Sequence, residues 1–345
     1  MKISRFKQKV IQILFILAVL TVVANIIAAK ISVKPGKEKL ENIGTNTVNV
    51  KFLGALNDFG LQKKWITTLK GKRSGEADYV YSVDVPKDLP IPVILSEIYG
   101  TFNTTNVKLK CIEKELGGET TLNILSDNAT VLKADFNYNN NIFRNAGSVG
   151  ILVKDLDLLK KKDMDALIEF PQTFAAVLLP SKNSTSIRDS LLNNRKEYAL
   201  LLNDDIKDIN YKLNKNFSRN RLKLAIRSII GAFPDAIFYV IDDNSNLYNS
   251  AVYSFIKNEL LKRKINLVKE SSFIQIEEGS REDVSMQLRN IVTPTKTGDQ
   301  KLLLIHADDF ELSRPEIFSL IKVGYKFINP SIIMSNKNKK ANPGN

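Results

Sequence analysis

From Val149 onward, the sequence repeats one pattern in which a short, uninterrupted apolar segment precedes a stretch with helical periodicity. The first three apolar segments lie at 149–153, 174–179 and 198–202. Strands that are apolar along their whole length are buried on both faces, and their alternation with helices is typical of a parallel sheet. About seven such units predict an α/β fold with a distorted (β/α)7-type barrel over 147–334. An open doubly wound sheet is the alternative.

The rest of this pattern places the remaining elements of the predicted barrel. Further strands are predicted at 236–241, 265–268, 302–305 and 325–328. Helices are predicted at 158–170, 186–193, 220–233, 250–263, 281–292 and 315–323. The residues that follow, 335–345, are predicted to form a basic tail.

A smaller module is predicted before the barrel. Its strands and its one helix alternate with turns that are rich in Pro, Gly or Asn, and they lie at 79–85, 93–102, 107–112, 122–125 and 131–136. The pattern predicts a small α+β module over 79–137. The preceding residues, 30–78, are rich in Lys, Asn and Gly and are predicted to be a linker.

The N-terminal residues predict a membrane anchor. Residues 10–29 are almost entirely apolar, and about 20 such residues are what a helix needs to cross a bilayer. The preceding segment, 1–9, carries cations and no acidic residue, which favours holding that end in the cytoplasm. We therefore predict a single transmembrane signal-anchor with the C-terminal domain extracytoplasmic, that is, periplasmic or extracellular. A signal peptide cleaved near Ala28 and Ala29 is the alternative.

Charge and residue counts limit the classes of function. The formal net charge is +13, which suits anionic partners such as lipid headgroups or an acidic envelope polymer, although lysines on a solvated surface would give the same value. Export and the lack of a recognition motif argue against nucleic acid. Cys111 is the only cysteine, so neither an intramolecular disulfide nor a thiolate cluster can form. His306 is the only histidine, which excludes any site that needs two imidazoles.

Polar residues follow several of the predicted strands. In βα barrels, functional groups lie at the carboxyl ends of strands. Carboxylates and one imidazole at that end could hold a divalent cation or bind substrate, but Asp and Asn at strand ends also cap helices and shape turns. The residues concerned are Lys154, Asp155, Asn203, Asp204, Asp205, Asp242, Asp243, Asn244, His306, Asp308 and Asp309.

Three segments resemble the divergent polysaccharide deacetylase family, whose members are carbohydrate esterase-like distorted βα barrels. They are Val149-Gly-Ile-Leu-Val-Lys-Asp-Leu-Asp157, the apolar run at 170–180 that ends in Pro, and Leu304-Ile-His-Ala307. The resemblance implies an acetyl-group hydrolase that acts on amino sugars through a metal-bound water, with zinc as the metal. It also implies that Asp155 and His306 are the catalytic candidates.

The chain departs from the family pattern at most of the positions that would bind the metal. Lys154 replaces the first acid of the opening motif, Lys196 and Leu201 stand where the family has histidines, and 241–246 lacks another. Lysines at 154 and 196 are expected to oppose a divalent cation. No cofactor is therefore expected unless an unusual site survives, in which case zinc or another divalent metal is implied.

Three hypotheses follow from these observations. The first is a membrane-anchored extracytoplasmic deacetylase-like protein that has lost catalysis and binds an envelope glycan or protein. The second is an active metal-dependent carbohydrate deacetylase with a carboxylate-rich site, in which the substrate-binding candidates are Asp204, Asp205, Asp242 and Asp243. The third is a purely structural partner of membrane proteins, although no motif identifies a protein partner.

Overall fold

The computed structural model describes residues 41–69 and 77–341. The predicted basic segment at 1–9 and signal-anchor at 10–29 lie outside these ranges. Among the described residues, no helix is both long and apolar enough to cross a membrane. By their internal contacts the described residues divide into two compact units, one of 41–55, 63–69 and 77–139 and one of 56–62 and 140–341. The α/β fold class is confirmed.

The first unit is built on a mixed five-stranded sheet. The strand order is β1-β2-β5-β4-β3, in which β2 and β5 pair in parallel and the other neighbours are antiparallel. Its elements in chain order are α1 (Thr45–Asp58, which ends in the second unit), β1 (Ile66–Thr68), β2 (Tyr79–Pro86), α2 (Ile91–Phe102), β3 (Lys108–Glu113), β4 (Thr120–Ser126) and β5 (Ala129–Asn139). The predicted strands and helix of this module are therefore present.

The predicted linker at 30–78 contains an ordered helix, which is a difference from the sequence prediction. In α1, Val48 and Phe52 are fully buried and Ala55 is nearly so. These residues are spaced by four and three positions, which places them on one helical face. The ring of Phe52 stacks on that of Tyr81 in β2, with 5.6 Å between centroids. The apolar spacing decides the structure here, and the polar composition around it does not.

The second unit alternates parallel strands with helices. Its strands are β6 (Ser148–Lys154), β7 (Ala175–Leu178), β8 (Glu197–Leu202), β9 (Tyr239–Ile241), β10 (Leu267–Lys269), β11 (Ile274–Gln275), β12 (Gln300–His306) and β13 (Lys326–Phe327). Its helices are α3 (Lys161–Ile168), α4 (Lys182–Asn193), α5 (Arg219–Ala232), α6 (Tyr253–Leu261), α7 (Arg281–Val292), α8 (Ala307–Val323) and α9 (Pro330–Ala341). Every strand pair in this sheet is parallel, as the uninterrupted apolar segments predict.

The sheet of the second unit must curl. Its order is β10-β9-β8-β7-β6-β12-β11, so six spacings of about 4.8 Å would separate the edge strands by about 29 Å in a flat sheet. However, only residues 270–273 connect β10 to β11, and the five Cα steps across them span at most about 18 Å. In the described part of the chain no ladder joins β10 to β11. The parallel α/β sheet is as predicted, but the barrel is closed by a short connection and not by hydrogen bonds between its edges.

Alternate residues of the strands face two different apolar clusters. In β6, Val149, Ile151 and Val153 belong to the cluster that contains the surrounding helices, and Leu152 belongs to the other. The second cluster fills the concave side of the curl, and α9 contributes the fully buried Ile333 to it. Helix α9 covers most of the range 335–345 that was predicted as a basic tail. Among the described side chains of this helix, only Pro330 and Ile333 are buried, so the sequence carries little amphipathic signal for it.

Two further differences between the predicted and the observed elements concern β11 and the start of α8. Strand β11 has two residues and was not predicted. Helix α8 begins at Ala307, eight positions before the predicted start at Pro315, which lies inside the helix. Pro is favoured in the first turn of helices, and this preference suggested the wrong start. Asp308 and Asp309 in the first turn instead match the positive end of the helix dipole.

Gly150 provides a test of packing inside the curl. A Cβ at this position would lie 2.8 Å from Leu302 Cδ2 and 3.0 Å from Ile333 Cδ1. Because overpacking a filled core costs about 1–3 kcal/mol, Gly150→Ala should lower the free energy of unfolding by that amount in urea titrations. Gly231→Ala in α5 is the control, since nothing lies within 4 Å of its Cβ and alanine favours the helix by about 0.5–1 kcal/mol. Equal effects of the two substitutions would contradict this account of the interior.

Candidate functional site

The two catalytic candidates from the sequence lie together. Strands β6 and β12 pair in parallel with His306 directly opposite Lys154, and Asp155 follows Lys154 at the same end of the sheet. The Nδ1 atom of His306 lies 2.7 Å from Oδ2 of Asp155. Both side chains are partly exposed, at 29% and 38% respectively, so the pair is accessible from solvent.

The backbone at Asp155 determines how the chain leaves β6. Asp155 has a φ of 62°, in the left-handed region, and the turn Leu156–Leu158 follows it directly. Leu156 is fully buried, whereas Leu158 is 79% exposed. This reversal keeps the Asp155 carboxylate at the end of the sheet, beside the last residue of β12. Asp is one of the few residues other than glycine that visit this conformation routinely.

A cleft of about 440 Å³ surrounds the Asp155–His306 pair. Glu278, on the loop after β11, has its Oε1 atom 3.5 Å from Nε2 of His306, so both ring nitrogens face carboxylates. The cleft combines acidic and apolar surface. Its lining is Asp155, Leu158, Glu278, Gly279, His306, Ala307, Asp308, Asp309 and Leu312.

Asp309 is the buried carboxyl of this cleft. It is 5% exposed, and burial raises its pKa above the ordinary value. The backbone N–H of Gly279 donates a hydrogen bond to it, and this bond and the nearby His306 oppose the rise in pKa. Neighbouring Asp308 is exposed. The first turn of α8 therefore presents one solvated carboxylate and one carboxyl that resists ionisation.

The two lysines at the family's metal-binding positions lie at opposite ends of the sheet. Lys154 is at the carboxyl end of β6, where its Nζ lies 3.4 Å from Oε1 of Glu270. Lys196 immediately precedes β8 and is therefore at the amino end. Its Nζ donates to the carbonyls of Phe170 and Gln172 at 2.5 and 2.6 Å, and burial lowers its pKa. The expectation that both lysines oppose a cation was wrong for Lys196.

The four predicted substrate-binding aspartates accept local hydrogen bonds. Asp204 accepts from the Leu247 N–H at 3.0 Å, and Asp205 accepts from the side-chain amide of Asn203 at 3.0 Å. Asp242 accepts from the Asn244 N–H at 2.9 Å.

The fourth aspartate, Asp243, accepts from the backbone N–H and hydroxyl of Ser271, and the bond from that hydroxyl lowers the pKa of its carboxyl. Like the other three, it shapes or joins loops. Within the ranges 41–69 and 77–341, none of the four is hydrogen-bonded or ion-paired to Asp155 or His306.

The residues at this end of the sheet do not form a zinc site. Catalytic zinc centres use three protein ligands, usually including more than one imidazole. Here the sole imidazole is engaged by Asp155, Leu201 is half-buried against the concave apolar cluster, and Lys196 lies at the other end. In the described residues, no group of three or more His, Cys, Asp or Glu side chains is arranged to hold a metal ion.

Two acidic residues at this site were not predicted from the sequence. Glu270 and Glu278 flank β11, and that strand is too short to show a clear pattern. Residues 273–276 are apolar at three of four positions, which is a weak strand signal, and the acids at 277 and 278 follow it. Treating 273–276 as a strand would have placed Glu278 at the same end of the sheet as His306.

No known family profile and no curated protein matches this chain. Solved structures similar to it include a CE4 family pseudoenzyme from Bacillus anthracis, with 12% identity over 55% of this chain and 66% of that one and a TM-score of 0.38. Peptidoglycan deacetylase PdaC from Bacillus subtilis has 11% identity over 59% and 96% of the two chains, with a TM-score of 0.39. A family 4 carbohydrate esterase from Streptomyces lividans has 10% identity over 53% and 92%, with a TM-score of 0.38. These proteins belong to the class that the sequence resembles.

The raised pKa of Asp309 predicts how stability depends on pH. The protonated carboxyl favours folding at acidic pH, and this contribution is lost as the pH rises through the raised pKa of the folded state. Asn cannot ionise but can still accept the Gly279 N–H. Asp309→Asn should therefore be more stable than the wild type at neutral pH, with the difference shrinking in acid, as measured by urea unfolding. Asp308→Asn is the exposed control and should show no such gain.

The left-handed backbone conformation at Asp155 predicts that two substitutions of this residue differ in stability. Ala in this conformation costs about 1–2 kcal/mol, whereas Gly adopts it freely. Both substitutions remove the contact with His306, so Asp155→Gly should be more stable than Asp155→Ala by about 1 kcal/mol or more in urea unfolding. Equal stabilities would show that the backbone at this position relaxes.

Proposed function

We propose that this chain is a membrane-anchored, extracytoplasmic polysaccharide deacetylase-like protein that binds an envelope glycan and does not deacetylate it. The observation that supports the proposal most directly is that both nitrogens of the only imidazole, that of His306, face carboxylates. Nδ1 of His306 contacts Asp155 at 2.7 Å, and Nε2 faces Glu278 at 3.5 Å. The two catalytic candidates of the family pattern are thus paired with each other.

The state of the other potential metal ligands supports a loss of metal-dependent hydrolysis. A divalent cation here would need ligands besides Asp155 and His306, and the aspartates that follow β8 and β9 already accept hydrogen bonds from their own loop or from the next one. Breaking the bonds to Asp204 and Asp205 to bind a metal would leave the buried Leu247 N–H and the buried Asn203 amide without acceptors, which costs about 1–3 kcal/mol each. A binding site needs no such rearrangement.

The cleft has the chemistry of a saccharide site. Its volume of about 440 Å³ lies within the range of small-molecule pockets. The carboxylates of Asp155, Glu278 and Asp308 can accept hydrogen bonds from sugar hydroxyls, and Leu158 and Leu312 offer apolar surface to a sugar ring. The negative charge also favours amino sugars that carry a free ammonium group. We therefore assign a glucosamine-containing glycan as the ligand class.

The predicted signal-anchor supports a location of this cleft in the cell envelope. Residues 10–29 are apolar and are preceded by cations, which supports a single span with the cleft on the far side of the membrane. A glycan of the envelope is the polymer that such a domain would meet. Tethering to the membrane raises the effective concentration of the domain near that polymer.

The proposal is tested by equilibrium binding of the full chain, in detergent micelles, to oligomers of N-acetylglucosamine and of glucosamine. We expect both to bind, the cationic oligomer more tightly. Combining Glu278→Gln with Asp308→Asn should weaken binding at least about tenfold, because hydrogen bonds to charged groups contribute about 1.5–3 kcal/mol each. Glu113→Gln, on exposed strand β3, is the matched control and should bind normally.

The same preparation distinguishes the alternatives. Zinc-dependent release of acetate that is lost in His306→Ala would contradict the proposal and establish the active deacetylase. An absence of binding to either oligomer would also contradict it and favour a structural role in a protein complex.

A further inference from the structure

Helices α5 and α6 form a surface on which basic side chains are exposed and acidic side chains are not. Helix α5 carries Arg219, Arg221, Lys223 and Arg227 and contains no acidic residue. The only acid of α6 is Glu259, which is 2% exposed and pairs with Lys262 and Arg263 at 2.8 and 3.0 Å. This acid therefore neutralises neighbours at the end of α6 and leaves the rest of the surface positive.

The exposed sides of the two helices face the same way. The helices connect β8 to β9 and β9 to β10, which are adjacent parallel strands, and such crossovers are right-handed, so both helices lie on one side of the sheet. Their buried residues, including Leu222 and Ile256, belong to one apolar cluster. The opposite, exposed positions are spaced by three or four residues, and they are Asn220, Leu224, Arg227 and Gly231 on α5 and Ser254, Lys257, Asn258 and Leu261 on α6.

Most of the positive charge on this surface is uncompensated. Within the described ranges, the side chains of Lys223, Arg227, Lys257 and Lys264 form no ion pair, although Glu259 also attracts Lys223 at longer range. Elsewhere in the described part of this unit, some helix cations have partners, as Arg289 has in Glu316 at 2.6 Å, whereas others are unpaired but are not grouped on two adjacent helices. A group of unpaired cations on adjacent helices is a surface of high positive potential.

Large apolar side chains are exposed among these cations. Leu224 is 54% exposed and Leu261 is 65% exposed. Ile209, on the loop that precedes α5, is 61% exposed, and its carbonyl accepts a hydrogen bond from Arg221, which holds it beside the start of the helix. Water solvates the charged groups of lysines well, but the exposure of leucine side chains to water is unfavourable. A partner that offers both anions and an apolar phase satisfies both kinds of side chain.

We infer that this surface, the basic helix face, lies against a bilayer that contains anionic lipids. We define the face by Ile209, Lys223, Leu224, Arg227, Lys257, Leu261 and Lys264. Lysines near an anionic bilayer contribute about 1 kcal/mol each, and apolar side chains between them reach the boundary of the acyl chains. A soluble polyanion would use the cations and leave the leucines in water. The inference does not depend on the ligand of the cleft.

The test uses the full chain in the Cys111→Ser background, with Ser254→Cys carrying an environment-sensitive fluorophore on the exposed side of α6. The chain is reconstituted into vesicles of phosphatidylcholine, with or without phosphatidylglycerol, and quenching of the label by spin-labelled lipid is measured. We expect strong quenching only with phosphatidylglycerol. Molar salt, which shortens the Debye length to about 3 Å, should abolish it.

Two variants with the same net charge distinguish attraction of the bilayer by the basic helix face from attraction by the overall charge of the chain. In the first, the face is reversed by Lys223→Glu, Arg227→Glu, Lys257→Glu and Lys264→Glu, and the fraction of chains with this face on the bilayer, measured by quenching, should fall at least about tenfold. In the control, four exposed lysines elsewhere are reversed by Lys87→Glu, Lys110→Glu, Lys161→Glu and Lys326→Glu, and quenching should persist.

Three results would overturn the inference. They are equal quenching in the two kinds of vesicle, an equal loss in the control variant, and protection of the label by soluble polyphosphate without quenching by lipid. The last result would assign the face to a soluble polyanion. Circular dichroism of each variant verifies that it is folded.

Discussion

The parallel pairing of β6 with β12 is the constraint on which the site depends. The two strands are far apart in sequence, and their seven paired positions run from Ser148 opposite Gln300 to Lys154 opposite His306. Since side chains alternate along a strand, a shift by one residue would move His306 to the other face of the sheet. Leu302 and Leu304 lie in one apolar cluster and Leu303 and Ile305 in the other, so such a shift would require both clusters to repack.

The curl of the sheet adds the other components of the cleft. The short connection from β10 brings Glu270 to Lys154, and β11 then places the loop with Glu278 and Gly279 beside His306 and Asp309. Carboxylates thus surround an imidazole in a chain whose overall charge is positive. The positive charge is concentrated elsewhere, including on the outer surfaces of α5 and α6. The proposed glycan cleft and the proposed membrane surface therefore use opposite charges.

Much of the fold could be predicted because the strands of the second unit are apolar on both faces. Strand β6 was predicted at 149–153 and spans Ser148–Lys154, and the polar residues after it were correctly placed at the carboxyl end of the sheet. Asp155 and His306, the catalytic candidates from the family resemblance, lie in contact, and their catalytic role stays a prediction. In α1, the spacing of Val48, Phe52 and Ala55 carried a helical signal that the surrounding Lys and Asn residues concealed.

Other parts of the site depend on contacts that a local pattern does not encode. Strand β11 is held by pairing with β12 and not by its own two residues, so Glu278 could not be placed with confidence from sequence. Lys196 was assigned to the site from motif order alone, yet it precedes its strand and lies at the other end. Whether a strand-end aspartate faces a ligand or accepts a nearby N–H is decided by loop geometry, as in Asp242 and Asp204.

The central claim is that the sole imidazole is paired with Asp155 and is not a metal ligand. Because His306 is the only histidine, ¹⁵N labelling of histidine in the full chain gives one pair of ring nitrogen signals that needs no assignment. The account predicts a hydrogen on Nδ1 that is bonded to Asp155, so that the Nδ1 signal changes in Asp155→Ala, and it predicts that neither ring nitrogen signal moves when one equivalent of Zn²⁺ is added. A stoichiometric change in these signals on adding Zn²⁺ would contradict it and restore the metal-dependent hydrolase.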